Sequence, residues 1–368
     1  MKEINLEAPI NSLGYGTIGR NLIPELKKLG VKVNLLPIGE VKTENAKEKS
    51  AIDWAIANAQ FSDLSCPTVK IWHQHDMLSS IGTGNKYGFP IFELDRFSQK
   101  EIDSLLSVNV INCSYWAEEI CKANGINSVG VVPLGYNPEV FYPSEYPSTD
   151  VIKILTIGKW EIRKGHFELP DYLIDFIESL RQSDFNAYKA FPYEKQREIE
   201  LNVCCHNPFY TDMENKSWED YYKYKLEKYC KVNFIPRLKT QEDVRDLISS
   251  NHISFLPSHS EGWGLEALET LACARQLVTT KYGGATEYYG KYNFTPELEP
   301  AIDGKWFFGQ GSWLKFNYDV RADLLNQLDD AFKGCEKENK IGLEVAKQFT
   351  WAESAKKLCN IVGIKIND

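Results

Sequence analysis

The 368-residue sequence has no hydrophobic run long enough to cross a membrane, and its first ten residues, MKEINLEAPI, lack the apolar core of a signal peptide. Its nine cysteines include no C-x-x-C pair and show no metal-site spacing. We therefore expect reduced, mostly buried thiols in a cytoplasmic protein that binds no metal.

An excess of positive charge is also missing. The net charge of -9 is spread along the chain, whereas a broad nucleic-acid-binding surface needs clustered lysine and arginine. Nucleic acid is thus a disfavoured partner, although a small basic site inside a cleft stays compatible with this balance. The hydrophobic content of 43% and the charged content of 25% are typical of a globular protein with sizeable cores.

Apolar, β-rich runs alternate with helical patterns over most of the chain, which predicts a parallel α/β architecture. The length suggests two domains, and YNPEVFYPSEYPSTD is the best candidate for a linker because it is rich in proline, serine and tyrosine. We predict domains at residues 1–146 and 147–340, followed by a helical segment at 341–368. Within the aromatic stretch 181–231, SWEDYYKYKLEKY predicts an amphipathic helix whose aromatic residues pack inward.

Gly14, Gly16 and Gly19 spell G-x-G-x-x-G, the dinucleotide-binding spacing. In a nicotinamide enzyme the first strand runs directly into this loop, and a carboxylate ends the second strand. Here Pro9 and further residues separate the strand EINLEA from Gly14, and the second strand, VKVNLLPI, follows the helix IPELKKLG and ends without a carboxylate. The oxidoreductase alternative fails both checks. The glycines then form a loop that either brings N–H groups to an anion at a helix N-terminus or permits close packing.

In LTIGKWEIRKGH, Lys159, Arg163 and Lys164 follow directly after a buried strand. An open α/β sheet exposes its ligand crevice at the carboxyl ends of its strands, so these cations are candidates for binding a diphosphate. The alternative is a solvated basic turn. In the first half, TVKIW likewise runs into HQHD, which makes His73, with His75 as the alternative, a candidate site residue.

In FLPSHSEGWGLEALETLACARQLV a strand ends, a loop carries Glu261, and a helix begins near Trp263 or Gly264. On a helical wheel Glu269 lies at the border of the apolar face, where a carboxylate needs a hydrogen-bonding partner. Glu261 either caps the helix N-terminus or meets one part of an extended ligand whose other part reaches Glu269.

Together these segments resemble the retaining glycosyltransferases of the GT-B fold, most closely glycosyltransferase family 4. Glu261 and Glu269 match its E-x7-E motif, and GKWEIRKG resembles its donor-phosphate motif, with Lys159 where arginine is more usual and Lys164 at the matching lysine. VVPLGYNPEVFYP resembles the interdomain segment, TTKYGGATEYYG the Gly-Gly-x-x-Glu stretch, and TWAESAKKL the helix that crosses back to the first domain. GYGTIG lies where the family has its first glycine-rich loop.

The resemblance implies two Rossmann-like, doubly wound domains that face each other across a cleft, with a C-terminal helix crossing back to the first. It implies hexosyl transfer from a nucleoside diphosphate sugar on the second domain to a hydroxyl acceptor, a saccharide or small glycoconjugate, on the first. It implies neither a cofactor nor a metal. The alternatives are a modified DNA base as acceptor, a non-catalytic nucleotide-sugar-binding protein and, least favoured, an NAD-dependent oxidoreductase.

The resemblance also implies roles for individual residues. Lys159 and Lys164 stabilise the leaving diphosphate, and Glu269 binds the ribose hydroxyls. Glu261 contacts the transferred sugar, and His73 orients that sugar or the acceptor. The other expected donor-binding residues are Gly14, Gly16, Arg163, Gly262, Trp263, Gly264 and Leu265. His75 and Asp76 are the expected contacts to the acceptor or the transferred sugar.

Overall fold

The computed structural model describes residues 2–187, 198–207, 212–213 and 216–366. The strands of its amino-terminal half are β1 (Glu3–Ala8), β2 (Lys32–Pro37), β3 (Thr68–Lys70), β4 (Lys86–Gly88), β5 (Asn109–Asn112) and β6 (Ser128–Val131). The helices there are α1 (Gly14–Lys28), α2 (Ala46–Ala59), α3 (Gln99–Leu105) and α4 (Tyr115–Ala123). The strands form one parallel sheet in the order β2-β1-β3-β4-β5-β6.

The strands of the carboxyl-terminal half are β7 (Val151–Gly158), β8 (Glu198–Cys205), β9 (Asp212–Met213), β10 (Lys216–Ser217), β11 (Lys231–Phe234), β12 (Ile253–Leu256), β13 (Gln276–Thr279), β14 (Leu298–Ile302) and β15 (Phe308–Leu314). Its helices are α5 (Leu169–Ala187), α6 (Trp218–Leu226), α7 (Gln241–Ser249), α8 (Leu265–Ala272), α9 (Thr286–Tyr289), α10 (Tyr318–Gly334), α11 (Lys340–Ala346) and α12 (Trp351–Ile361). A second parallel sheet has the order β11-β8-β7-β12-β13, and β14 and β15 form an antiparallel hairpin.

Both sheets are covered by helices, as their apolar strands require. Every residue of β1 is buried, and Ile152, Ile154 and Leu155 of β7 are fully enclosed. Strands buried on both faces are typical of parallel sheets. Because all strands of a sheet run in one direction, their carboxyl ends lie along one edge. The predicted doubly wound α/β architecture is confirmed.

The carboxyl-terminal helix crosses back to the first sheet, as the resemblance implied. α12 packs on α1 and β6, and Ser354 Oγ donates to the carbonyl of Pro133 at 2.6 Å. α11, in contrast, packs on α8 of the second half. The chain therefore changes sides after α11, one helix later than the boundary predicted at residue 341. Among the described residues, no helix combines the length and apolar character needed to span a membrane.

Two helix starts differ in detail from the sequence expectation. α1 begins at Gly14, so the glycines lie in its first turns and not in a loop before a helix at IPELKKLG. α8 begins at Leu265, directly after Gly264. The φ of Gly264 is 85°, a left-handed backbone conformation that glycine adopts at little energetic cost. The amphipathic helix predicted within 181–231 is confirmed as α6, in which Trp218 and Tyr222 pack inward as expected but Tyr224 is exposed. Residues 188–197, 208–211 and 214–215 of that stretch lie outside the described residues.

Candidate active site

A cleft of about 700 Å³ lies between the two sheets, at the carboxyl ends of their strands. It brings together most of the predicted site residues, from both halves of the chain. These are Gly14, His73, His75, Lys159, Arg163, Lys164, Glu261, Gly262, Trp263, Gly264, Leu265 and Glu269. Gly16 and Asp76 do not line it.

Two helix N-termini without side-chain caps open into this cleft. The residues before α1 and α8 are Leu13 and Gly264, and no described side chain caps either helix. Eight other helices are capped by a serine, threonine or asparagine, namely α2, α3, α4, α6, α7, α10, α11 and α12. The first N–H groups of a helix have no acceptor within it. At α1 and α8 they are available to an anion in the cleft.

The Glu261 carboxylate is held by two cations. Lys164 Nζ lies 2.7 Å from Oε1, and Arg163 Nη1 lies 3.0 Å from Oε2. Ser258 Oγ also donates to Oε1 at 2.7 Å. Burial raises the pKa of Glu261, but Arg163 and Lys164 outweigh it and bring the pKa well below its usual range. Glu261 is therefore a fixed carboxylate, and its interactions are different from those of a simple helix cap.

Arg163 is bound mainly to protein groups. Its guanidinium contacts Glu261, Glu161 at 2.9 Å and Glu93 at 3.8 Å, and it donates to the carbonyl of Ser260 at 2.6 Å. With 5% exposure it is part of the framework under the cleft, and no contact to a donor follows from its position. Its predicted role in donor binding stays a prediction.

Three acidic residues of this site were missed by sequence reasoning. Glu161 lies 3.5 Å from Lys159, and Glu266 lies 3.6 Å from Lys164. Glu93 comes from the loop between β4 and α3, so that a carboxylate of the first half faces the basic motif of the second. Burial raises the pKa of Glu93, although Arg163 opposes this effect. Glu161 was readable as part of GKWEIRKG, whereas no local signal pointed to Glu93.

Glu269 has surroundings of the opposite kind. Its side chain is buried, with 8% exposure, and no described residue donates a hydrogen bond to its carboxylate. Burial raises the pKa of Glu269 well above its usual value, and nearby Glu266 and Glu44 add to the shift. A buried carboxyl group without a partner indicates a place where a ligand donates hydrogen bonds.

His73 lines the cleft on the side of the first half. Its ring is 4.8 Å from the ring of Tyr15 and 5.5 Å from that of His75. Burial lowers the pKa of His73 to about 4, with smaller contributions from His75 and Lys159. Asp76, by contrast, contacts Lys70 at 3.3 Å and accepts a hydrogen bond from Ser79, outside the cleft lining. The pair His73 and His75 is thus better placed for a ligand than Asp76.

The loop between Glu261 and α8 is fixed from below. The backbone N–H of Gly284 donates to the carbonyl of Glu261 at 2.7 Å, and the thiol of Cys113 donates to the carbonyl of Gly262 at 3.1 Å. Trp263 is buried and packs against Tyr288 and Phe349, so only its backbone is suited to a donor. The segment that contains Gly284 therefore holds the loop between Glu261 and α8 in place.

Comparison with known proteins was consistent with this arrangement. Residues 147–297 match the family model described as "Glycosyl transferases group 1". The chain is similar to sucrose-phosphate synthase from Thermosynechococcus elongatus, with a TM-score of 0.61, 14% identity and 98% of each chain covered. It is also similar to HepE from Anabaena in complex with UDP and glucose, with a TM-score of 0.61, 13% identity, and 99% and 100% covered.

The chain has the GT-B fold. A glycosyltransferase from Rickettsia africae gives the same result, with a TM-score of 0.63, 14% identity, and 98% of this chain and 97% of that chain covered. No curated protein sequence matches the chain. The predicted fold class is confirmed, and the family match over residues 147–297 supports a glycosyltransferase.

Proposed function

We propose that the protein is a retaining glycosyltransferase, one that moves a hexosyl group from a nucleoside diphosphate sugar to a hydroxyl acceptor without a metal ion. One observation carries this proposal: the uncapped N-termini of α1 and α8 and the side chain of Lys164 all line one cleft. Such a site suits a diphosphate, because helix N–H groups and a lysine ammonium both stabilise negative charge.

Glu269 supports a nucleotide as the group that carries the diphosphate. A ribose presents two neighbouring hydroxyls, and a carboxylate can accept a hydrogen bond from each. The buried Glu269 carboxyl group, five residues after Gly264 on the same helix as the anion site, accepts no hydrogen bond from a described residue. The ribose hydroxyls would supply these bonds, and we assign Glu269 to them.

The proposed reaction breaks the bond between the anomeric carbon and the phosphate oxygen and forms one to the acceptor oxygen on the same face of the sugar. The acceptor proton passes to the leaving phosphate. Negative charge grows on that phosphate, and Lys164, Lys159 and the two helix N-termini stabilise it. Glu261, held as a carboxylate, positions the sugar hydroxyls and stabilises positive charge at the anomeric carbon. Neutral His73 can hydrogen-bond to a hydroxyl of the sugar or acceptor.

Nucleotide binding is the first test. The protein is heated with UDP, GDP, ADP or CMP, and with NADH as the matched control. A nucleotide at 100 times its dissociation constant adds about 2.7 kcal/mol to the free energy of unfolding. We expect one of the four to raise the melting temperature and NADH to have no effect. Stabilisation by NADH alone would contradict the proposal.

Stereochemistry and metal dependence are tested with the sugar derivative of the nucleotide that stabilises the protein. NMR of the first product should show the anomeric configuration of the donor, and an inverted product would disprove retention. Transfer should continue at the same rate after dialysis against EDTA, since lysines and helix N-termini provide the positive charge. A loss of activity that Mg²⁺ or Mn²⁺ restores would disprove metal independence.

A further inference from the structure

The tip of the β14–β15 hairpin presents aromatic side chains that no part of the proposed reaction uses. Trp306 has 51% exposure and Phe308 has 70%. Trp306 and the adjacent Phe307 line the same cleft as Lys164 and Glu261, whereas Phe308 does not line it. The hairpin thus carries one aromatic face into the cleft and leaves another outside.

The tip is held in one conformation by its own hydrogen bonds. Oδ1 of Asp303 accepts the backbone N–H groups of Lys305 at 2.8 Å, Trp306 at 2.7 Å and Phe307 at 2.8 Å. The ring of Phe307 packs edge-on against Trp313 at 5.7 Å. A ligand that stacks here therefore meets a preorganised surface, which lowers the entropy lost on binding.

Direct contacts connect this hairpin to the first half of the chain, and the neighbouring Glu93 connects it indirectly to Glu261. The backbone N–H of Ser312 donates to Asp95 Oδ1 at 2.6 Å, and Leu94 packs with Ala301 and Trp313 in a small core. The preceding residue, Glu93, faces Arg163, which contacts Glu261. The aromatic tip is therefore fixed beside the loop that brings a carboxylate to the site.

Aromatic rings next to polar groups that face the cleft are suited to a sugar. One face of a pyranose ring is made of C–H groups and can pack on an aromatic ring, while its hydroxyls need hydrogen-bonding partners. Trp306 and Phe307 offer the ring surface, and Glu93, Arg96 and Gln310 line the same cleft. A lipid chain would place hydrocarbon against these polar groups and form no hydrogen bonds with them, and a bilayer would meet the outward Phe308 as well.

We infer that Trp306 and Phe307 form a stacking platform for a saccharide acceptor, with Glu93 accepting a hydrogen bond from one of its hydroxyls. This rests on the proposed function, because it names the acceptor class of that reaction. It also gives the second half of the chain a part in acceptor binding, which the sequence had led us to expect on the first half alone.

The test compares Trp306→Ala with Phe308→Ala, which removes an aromatic ring from the same hairpin outside the cleft. Binding of methyl pyranosides of glucose, galactose, mannose and N-acetylglucosamine, and of maltose and cellobiose, is measured by saturation-transfer NMR. We expect one or more to bind the wild type and the dissociation constant to rise about tenfold in Trp306→Ala. Phe308→Ala should bind the pyranoside as tightly as the wild type does. Both variants should keep the nucleotide-induced stabilisation.

Several results would overturn the inference. One is the absence of pyranoside binding to the wild type, and another is an equal loss of pyranoside affinity in the two variants. A third is binding of single-stranded DNA or of anionic phosphatidylglycerol vesicles that depends on Trp306, while pyranoside binding does not depend on it. Saccharide binding is measured without donor as well as with nucleotide. If no nucleotide stabilises the wild type, the proposed function is refuted. The saccharide titrations alone then decide whether Trp306 and Phe307 form a stacking platform.

Discussion

Lys164 Nζ lies 2.7 Å from Glu261 Oε1, so a cation of the basic motif and the first acid of the E-x7-E motif already form one unit without a donor. Arg163 holds the other carboxylate oxygen at 3.0 Å. A diphosphate entering the cleft competes with Glu261 for Lys164, while Arg163 keeps the carboxylate charged. The acid that we propose to contact the sugar and the lysine that we propose to contact the phosphate are thus coupled through one ion pair.

Replacement of Lys164 by alanine should reduce transfer strongly while the protein stays folded. The ammonium would stabilise charge that appears on the leaving phosphate, and such a group contributes on the order of 3 kcal/mol to the transition state, or about a hundredfold in rate. The measurement is the rate of transfer from the purified donor. Lys333→Ala, at an exposed lysine paired with Asp329, is the control and should retain full activity. Full turnover by Lys164→Ala would show that Lys164 has no role in the transfer.

Arg163→Met should destabilise the protein by about 3–5 kcal/mol, because it removes the shared partner of buried carboxylates and leaves part of their charge uncompensated. Glu161 and Glu261 lose their contacts at 2.9 and 3.0 Å. Urea unfolding gives the free energy. In Arg321→Met, the control, a partly exposed ion pair with Asp175 is lost, and a change below about 1 kcal/mol is expected. Equal losses in both variants would mean that Arg163 has no framework role.

The sequence predicted the parts of the site that local signals encode. A strand followed by charged residues places those residues at the carboxyl edge of a parallel sheet, which is why Lys164, Glu261 and His73 were found together. Glu269 was recognised because its position on the helical wheel leaves a carboxylate against apolar neighbours. Such inferences need only the order of strands and helices, which alternation of apolar runs predicts well.

What the sequence did not predict depends on contacts between distant segments. Glu93 reaches Arg163 only because two domains close on each other, and nothing within FPIFELDRF signals this. The start of α1 was missed because GYGTIG contains poor helix formers and Pro24 lies within the helix. Packing overrides these propensities, since Gly16 and Gly19 let the helix approach the segment after β1 closely.

Glu269→Gln should stabilise the ligand-free protein at neutral pH. Burial raises the pKa of Glu269 in the folded state, so the folded protein binds this proton more tightly than the unfolded chain. The resulting stability is full at low pH and is lost as pH rises through the folded-state pKa. A neutral glutamine avoids this loss, and its advantage should grow as pH rises above about 4.5 in urea unfolding.

The same substitution should weaken nucleotide binding about tenfold, because glutamine cannot accept both ribose hydrogen bonds as a carboxylate does. Glu344→Gln, at an exposed residue paired with Lys347, is the matched control and should change neither property. A glutamine variant less stable than wild type at pH 8, or one with unchanged nucleotide affinity, would contradict the assignment of Glu269.

His73 should stay neutral across the physiological range. Burial lowers its pKa to about 4, so protonation favours the unfolded chain, and the stability linked to this group falls as pH falls from about 6.5 towards 4. In histidine NMR titrations, the signal that disappears in His73→Asn should not shift between about pH 5.5 and 8. We expect that variant to lose transfer activity and to keep nucleotide-induced stabilisation. A titration midpoint near 6.5 would show that His73 is more solvated than its packing against Tyr15 indicates.

Gly16→Ala and Gly14→Ala separate the two explanations of the glycine spacing. A Cβ at Gly16 would overlap Oδ1 of Asn11 and lie 2.5 Å from its backbone N and O atoms, whereas a Cβ at Gly14 would meet nothing within 4 Å. Gly16→Ala should therefore cost about 1–3 kcal/mol in urea unfolding. It should also weaken nucleotide binding, because α1 has to shift and its N–H groups move with it. Gly14→Ala leaves the packing of α1 unchanged and should match wild type in urea unfolding. If Gly16→Ala instead keeps its stability and loses only nucleotide affinity, then Gly16 acts through direct approach to the phosphate and not through the packing of α1.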